Sequence, residues 1–281
     1  MTTQLNPQKR KIGLALGGGG ARGLAHIPML QVFEEMQLQP AHISGTSMGA
    51  ILGTIYASGT SPGDLRELVE GMIIKEGEGL KEIFKKRGLL RWFDLFDPKF
   101  VRGGVFKGDK VAEFLGEIIG VETFEDLNIP VTVVATDFFT GEQVVFDSGP
   151  LMPAIRATMA LPGIFTPTEI DGKVLVDGGC VNLVPHDLLD KSLYRIAIDV
   201  KDLPQRKKPN KIGMTDTLIG AIEIMSHQIG EMRRKADPPD LYLHPDLGGF
   251  EMLEFFRAEQ VFKRAQPKCD ELREALKPFA A

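Results

Sequence analysis

Short apolar runs that end at glycine alternate with segments of helical spacing at the start of the chain. The run IGLAL at 12–16 has no polar side chain and stops at glycine, which is typical of a strand buried on both faces of a sheet. ARGLAHIPMLQVFEEM at 21–36 repeats apolar residues about one turn apart and predicts a helix whose first turns Pro28 weakens or kinks. A second strand near 42–44 and an apolar helix at 47–59 complete the opening.

The rest of the chain continues this alternation of strands and helices. Helices are predicted over 62–87, 108–120, 213–235 and 251–277, and strands over 129–138, 142–149, 173–179, 194–200 and 240–244. Because strands occur from one end of the chain to the other, with no repeat or clean boundary, we expect a single domain over 1–281. The order of elements predicts an α/β fold with a parallel sheet.

Composition and charge narrow the class of protein. The formal net charge of −5 argues against a nucleic-acid partner, which would require a basic surplus on one face. Cys180 and Cys269 do not make a disulfide framework, which fits a reducing compartment. Neither a secretory leader nor an apolar stretch of membrane-spanning length is present. We therefore expect a cytoplasmic protein that touches membranes at most from their surface.

A five-residue motif after the second predicted strand matches the nucleophile elbow of serine hydrolases. Gly45-Thr46-Ser47-Met48-Gly49 fits G-x-S-x-G and precedes a predicted helix. Such a turn strains the backbone of the serine, and side chains at Gly45 and Gly49 would collide with neighbouring backbone. The dipole of the following helix also favours negative charge at Ser47. We predict that Ser47 is a nucleophile; the alternative is an ordinary glycine-flanked turn.

The stretch ALGGGGARGLAHI at 15–27 admits two interpretations. Gly18, Gly20 and Gly23 satisfy G-x-G-x-x-G between a strand and a helix, the arrangement of a dinucleotide-binding loop. That use requires an acidic residue at the end of the second strand, where this chain has ISGTS instead. Beside a serine nucleophile, the loop offers free backbone N–H groups. We therefore favour an oxyanion hole, in which Arg22 adds charge or braces the loop.

The serine hydroxyl needs a base, and two residues qualify. His186 follows Asp177 and would complete the order Ser, Asp, His of α/β-hydrolases, although a helix start explains it equally well. Asp177 ends an apolar strand and precedes Gly178 and Gly179, where an α/β sheet places catalytic carboxylates. An Asp-Gly hairpin turn is the alternative for this motif. Partial burial would raise the pKa of Asp177 enough for it to take the serine proton directly.

Together these motifs resemble the patatin-like phospholipase family. GGGGARG at 17–23, GTSMG at 45–49 and DGG at 177–179 have the order and spacing of that family, although DGA is its more common third motif. ATMALPGIFTP at 157–167 looks like the segment that precedes the acidic strand. The resemblance implies a three-layer α/β/α fold with a mainly parallel central sheet.

The resemblance covers about residues 11–200, which would form the core of the domain. The remaining residues, about 201–281, form a helical C-terminal part that carries no motif of the family.

The resemblance also implies a site and a reaction. Ser47 would be the nucleophile and Asp177 the general base of a dyad without histidine. The oxyanion hole would come from the loop residues Gly18, Gly19, Gly20 and Arg22; the elbow glycines are Gly45 and Gly49, and the glycines of the acidic motif are Gly178 and Gly179. The implied reaction is calcium-independent hydrolysis of phospholipid or lysophospholipid acyl esters.

No cofactor is expected, and the chain contains no metal-ligand spacing. Two other functions remain open. One is an acyltransferase that uses the same dyad, and the other, from a different class, is a nucleotide- or ligand-binding module that uses the glycine loop. The sequence says nothing about the oligomeric state.

An irregular segment at about 80–107 mixes aromatic and basic residues. Trp92, Phe93 and Phe96 alternate with charges such as Lys85 and Arg91, a composition that suits contact with anionic lipid on the inner face of a membrane. The alternative, which we favour slightly, is a cap packed on the active site with solvated basic residues.

Overall fold

A computed structural model of the chain describes residues 10–72, 106–202 and 213–280. Its helices are α1 His26–Glu35, α2 Met48–Ala57, α3 Pro62–Met72, α4 Asp109–Ile119, α5 Leu151–Thr158, α6 Met214–Ala236 and α7 Ala258–Leu276. Its strands are β1 Ile12–Leu16, β2 His42–Thr46, β3 Val131–Asp137, β4 Gln143–Phe146, β5 Thr168–Ile170, β6 Lys173–Asp177, β7 Tyr194–Ile198 and β8 Leu241–Leu243.

The strands of the described residues form one sheet. Its order is β5-β6-β3-β2-β1-β7-β8, and β4 pairs with β3 beside this path. Strands β3, β2, β1, β7 and β8 are parallel, whereas β4, β5 and β6 pair in antiparallel fashion. The predicted α/β fold with a mainly parallel centre is therefore confirmed.

Both faces of the sheet are covered. Neighbouring residues of β1 point to opposite sides of the sheet, and each side packs against its own hydrophobic cluster. Leu14 and Leu16 join the main hydrophobic cluster, which the helices share. Burial of each such leucine contributes about 1.5–3 kcal/mol to folding. Ala15 belongs to a second cluster with Leu183 and Val184, which follow β6 in the chain. The small alanine lets that segment lie close to the ends of the central strands.

Two sequence predictions and one alternative differ from the structure. Pro28 does not kink its helix, because α1 begins at His26 and places Pro28 in the first turn, where N–H groups have no helical acceptor. Residues 20–25 form a 3-10 turn instead of extending α1. Asp177 does not open a hairpin, since a 3-10 turn over Gly178–Cys180 follows it.

Most of the other predicted strands and helices coincide with observed elements to within a few residues. Helix α7, however, begins at Ala258 and not at 251, and residues 73–87 of the helix predicted over 62–87 lie outside the described residues. Helix α5 and strand β5, of 8 and 3 residues, had no counterpart in the sequence predictions. Within the described parts of the chain, none of the helices has the length and apolar character needed to cross a membrane.

Candidate active site

Ser47 sits at a sharp turn between β2 and α2. Its backbone has φ 53° and ψ −124°, a conformation that non-glycine residues rarely adopt. The turn depends on glycine on either side. A Cβ on Gly45 would lie 2.6 Å from Ala50 Cα, and one on Gly49 would overlap the Leu16 carbonyl oxygen. The strained serine is therefore held at the first turn of α2, where the helix dipole favours negative charge.

Thr158, in the segment ATMALPGIFTP, fixes the backbone of this turn. The Ser47 N–H donates to Thr158 Oγ1 at 2.8 Å, and the threonine hydroxyl donates to the Val134 carbonyl at 2.6 Å. The end of α5 is thereby tied both to the nucleophile and to β3. Sequence analysis singled out the segment but not this residue.

Strand β3 brings Ser47 and Asp177 together. Thr46, the last residue of β2, pairs with Val134, while Asp177, the last residue of β6, pairs with the next position, Ala135. Two strands distant in sequence therefore end at adjacent positions of one strand. The Ser47 side chain lies beside the Asp177 carboxylate, near enough to lower its pKa, and both residues line one cavity.

The Asp177 carboxylate is buried, with 3% of the residue exposed. Burial raises its pKa from 3.8 to about 6, although hydrogen bonds from Ser47 and Gly179 and the charge of Lys201 lower it. The Gly179 N–H donates to Asp177 Oδ1 at 2.7 Å. A Cβ on Gly178 would overlap the Val134 carbonyl oxygen, so glycine lets this turn lie against β3. The result is a carboxylate that is ionised at neutral pH yet readily takes a proton.

The glycine loop lies beside Ser47 but does not offer all the donors expected. A Cβ on Gly18 would stand 3.2 Å from Ser47 Cβ. The Gly18 N–H, however, already donates to the Leu183 carbonyl at 3.0 Å, which removes it as a free oxyanion donor. Among the described residues, the N–H groups of Gly19 and Gly20 have no hydrogen-bond acceptor. Both glycines line the same cavity as Ser47.

Arg22 braces this loop and does not point a free guanidinium at the nucleophile. Its Nη1 forms a buried ion pair with Glu223 of α6 at 3.0 Å, and its Nε donates to the Phe250 carbonyl at 2.8 Å. The Ala21 N–H also donates to the Met252 carbonyl at 2.7 Å. The C-terminal part of the chain thus holds the glycine loop, a role for Glu223 that no sequence motif indicated.

His186, the histidine considered as a base, has structural contacts, and so does the buried His26. Both ring nitrogens of His186 lie within hydrogen-bond distance of backbone carbonyls, those of Val184 and Asp237. His26 Nε2 contacts the Gly17 carbonyl at 2.8 Å, and burial lowers the pKa of His26 to about 4. Within the described residues, no histidine lines the cavity that contains Ser47. The Ser–Asp–His alternative is therefore wrong for this geometry.

Ser47 and Asp177 line a cavity of about 420 Å³. Its walls are mainly apolar and come from several helices, with Ile51 of α2, Leu65 of α3 and Phe114 of α4 among the lining residues. The volume lies in the range of small-molecule sites. The described residues contain no cluster of three or more histidine, cysteine or acidic side chains suited to a metal ion. An apolar cavity with a serine hydroxyl in its wall suits an acyl chain that carries an ester.

Lys201 is a further polar residue of the cavity wall that sequence analysis missed. It follows β7 and is 4% exposed. Its place in the cavity wall with Ser47 and Asp177 depends on β7 pairing with β1, so no local motif indicated it. The predicted cap or membrane contact at 80–107 lies outside the described residues, apart from 106 and 107.

Comparison with known proteins supports the resemblance found in the motifs. The family model described as patatin-like phospholipase matches residues 14–190. An NTE family protein of Mycobacterium tuberculosis is 37% identical over 175 residues, which cover 62% of this chain and 44% of the relative. The neuropathy target esterase sws of Drosophila melanogaster is 33% identical over 67% of this chain and 13% of its own. The chain thus spans less than half the length of these curated relatives.

One solved structure supports the fold. VipD from Legionella pneumophila superposes with a TM-score of 0.50, covering 96% of this chain and 67% of that one, at 14% sequence identity. This likeness concerns the arrangement of helices and strands alone.

Proposed function

Because the chain belongs to the patatin-like phospholipase family, we propose that it hydrolyses acyl esters of phospholipids or lysophospholipids through Ser47 and Asp177. The observation that carries the proposal is the position of a strained elbow serine beside a buried carboxylate, at the wall of an apolar cavity. The reaction needs no histidine and is independent of calcium.

The proposed reaction has two halves. The Ser47 hydroxyl gives its proton to Asp177 as Oγ attacks the acyl carbonyl, and the oxygen of that carbonyl becomes negative. The Asp177 carboxylic acid then protonates the departing alcohol as the ester C–O bond breaks, leaving an acyl-enzyme. A water molecule attacks this acyl group and gives a proton to Asp177. The fatty acid leaves as the proton returns to Ser47.

The negative acyl oxygen requires hydrogen-bond donors that the protein does not use elsewhere. We assign this role to the backbone N–H groups of Gly19 and Gly20, because that of Gly18 is already bonded. Each such donor contributes about 2.7–4 kcal/mol to transition-state stabilisation. Arg22 positions these donors through its ion pair with Glu223.

We also propose that the catalytic unit is one domain that includes the C-terminal part. The support is local: Glu223 and the carbonyls of Phe250 and Met252 hold the glycine loop. A protein that ends after β7 would lose these contacts and is expected to lose activity.

Labelling with an alkyl fluorophosphonate tests the nucleophile. Wild type should label and Ser47→Ala should not. Ser58→Ala, which removes a hydroxyl that donates to the Ile55 carbonyl, should label like wild type. Hydrolysis of a lysophospholipid should continue in EDTA. Labelling of Ser47→Ala, or loss of activity in EDTA, would show that the mechanism is wrong. Transfer of the acyl group to an added alcohol in preference to water would indicate the acyltransferase alternative.

A further inference from the structure

Lys201 is a buried cation in the cavity wall that the proposed mechanism does not use. Its side chain lines the cavity together with Ser47 and Asp177. The preceding residue, Val200, touches the glycine loop, since a Cβ on Gly19 would lie 2.9 Å from Val200 Cγ2. Lys201 therefore belongs to the part of the cavity where the ester reacts.

The ammonium group of Lys201 has no partner among the residues that the structure describes. Within the described residues, Lys201 forms a hydrogen bond through its backbone N–H, which donates to Asp199 Oδ1 at 2.9 Å. The other buried cation of the wall, Arg22, is satisfied by Glu223. Glu223 is thus already paired, and among the described lining residues Lys201 is the cation left for a molecule in the cavity.

The surrounding charges keep Lys201 protonated at neutral pH. Burial lowers the pKa of Lys201 to about 8, and Arg22 lowers it as well, whereas Glu223, Asp199 and Asp177 raise it. Asp199 also accepts a hydrogen bond from the Tyr242 hydroxyl at 2.6 Å. These carboxylates, all within the described part of the chain, accept no hydrogen bond from the ammonium group, and an anionic ligand would provide an acceptor.

We propose that Lys201 binds the phosphate group of a phospholipid substrate and makes the enzyme prefer phosphate-bearing esters to neutral ones. This inference rests on the proposed function. In a glycerophospholipid the phosphate is only a few bonds from the acyl ester. An ester carbonyl held at Ser47 therefore places the phosphate in the part of the cavity that Lys201 lines. A charge-assisted hydrogen bond there strengthens binding by about tenfold to hundredfold.

Binding of two ether lipids tests this inference without any catalysis. Dodecyl glycerol ether and its phosphate ester share one chain, contain no acyl ester and differ only in the phosphate. Measured below their micelle concentrations, the phosphate-bearing probe should bind wild type at least about tenfold more tightly than the neutral one. Lys201→Met should remove this preference, and Lys201→Arg should keep most of it. Lys191→Met, which changes a lysine whose side chain is 78% exposed, should leave it unchanged.

The outcomes separate this inference from the proposed function. Equal affinity of wild type for both probes would overturn the role of Lys201, as would an unchanged preference in a folded Lys201→Met. A decrease in affinity for both probes alike would assign Lys201 a structural role instead. Intact phosphate preference in a protein that fails to label at Ser47 would reject the hydrolase and leave the phosphate site standing.

Discussion

Replacing Asp177 with asparagine is expected to make the folded protein more stable while it abolishes turnover. An asparagine side chain has nearly the same shape. Its oxygen can accept from the Gly179 N–H as Asp177 Oδ1 does, and its amide can donate to Ser47 Oγ. The substitution removes the negative charge of a residue that is only 3% exposed, and it removes the proposed base.

The magnitude follows from the two pKa values of Asp177. The pKa is about 6 in the folded protein and 3.8 when exposed, so the unfolded chain releases its proton at lower pH than the folded one. Stability therefore falls as pH rises from about 4 to 6, and the ionised group costs the fold about 3 kcal/mol at pH 8. At pH 5 the cost is about half of that, because the folded carboxyl is then mostly protonated.

Urea unfolding at pH 8 and pH 5 measures this effect. Asp177→Asn should exceed wild type by about 3 kcal/mol at pH 8, and by about half as much at pH 5. Asp190→Asn is the control, because Asp190 is exposed and hydrogen bonds from Ser192 lower its pKa. That variant should gain no stability at pH 8. If Asp177→Asn gains no unfolding free energy, or gains the same amount at both pH values, the argument that burial raises the pKa of this carboxyl is refuted.

Three further predictions address the base, the elbow and the brace. With a neutral ester, kcat/KM should fall about tenfold between pH 7 and pH 5 as Asp177 takes up a proton. A pH profile of kcat/KM that falls only near pH 4 would contradict this role. Gly49→Ala should give little soluble protein because its Cβ overlaps backbone, whereas Gly71→Ala in α3, with nothing within 4 Å, should express normally; equal yields would count against the packing argument. Arg22→Met should lose about 3–5 kcal/mol of stability, since Glu223 is left buried and unpaired. In the folded fraction of Arg22→Met, kcat should fall by a larger factor than KM rises. Unchanged kcat and KM would show that the brace on the glycine loop plays no part in the mechanism.

Local sequence was sufficient for the strands and turns that carry the motifs. An apolar run ended by glycine predicted β1, and the G-x-S-x-G pattern predicted the turn at Ser47, because both depend on a few neighbouring residues. Short elements such as α5 and β5 were not predicted, since their residues follow contacts with β3 and β6 more than their own periodicity.

Partners distant in sequence could not be found in this way. Thr158, Lys201 and Glu223 stand in no motif that states their role, and each reaches the site through the packing of another element. Residues distant in sequence also decide which backbone N–H groups are free to bind an oxyanion. The Gly18 N–H donates to the carbonyl of Leu183, which lies far along the chain.

The sequence by itself determined the alternation of strands and helices, the family and the candidate nucleophile and base, because composition and short motifs encode these directly. Only the tertiary structure decided that Ser47 and Asp177 lie side by side, since β2 and β6 must end at adjacent positions of β3. It also decided the raised pKa of Asp177 and the unpaired charge of Lys201. Desolvation depends on every atom packed around a group, and no stretch of sequence contains that information.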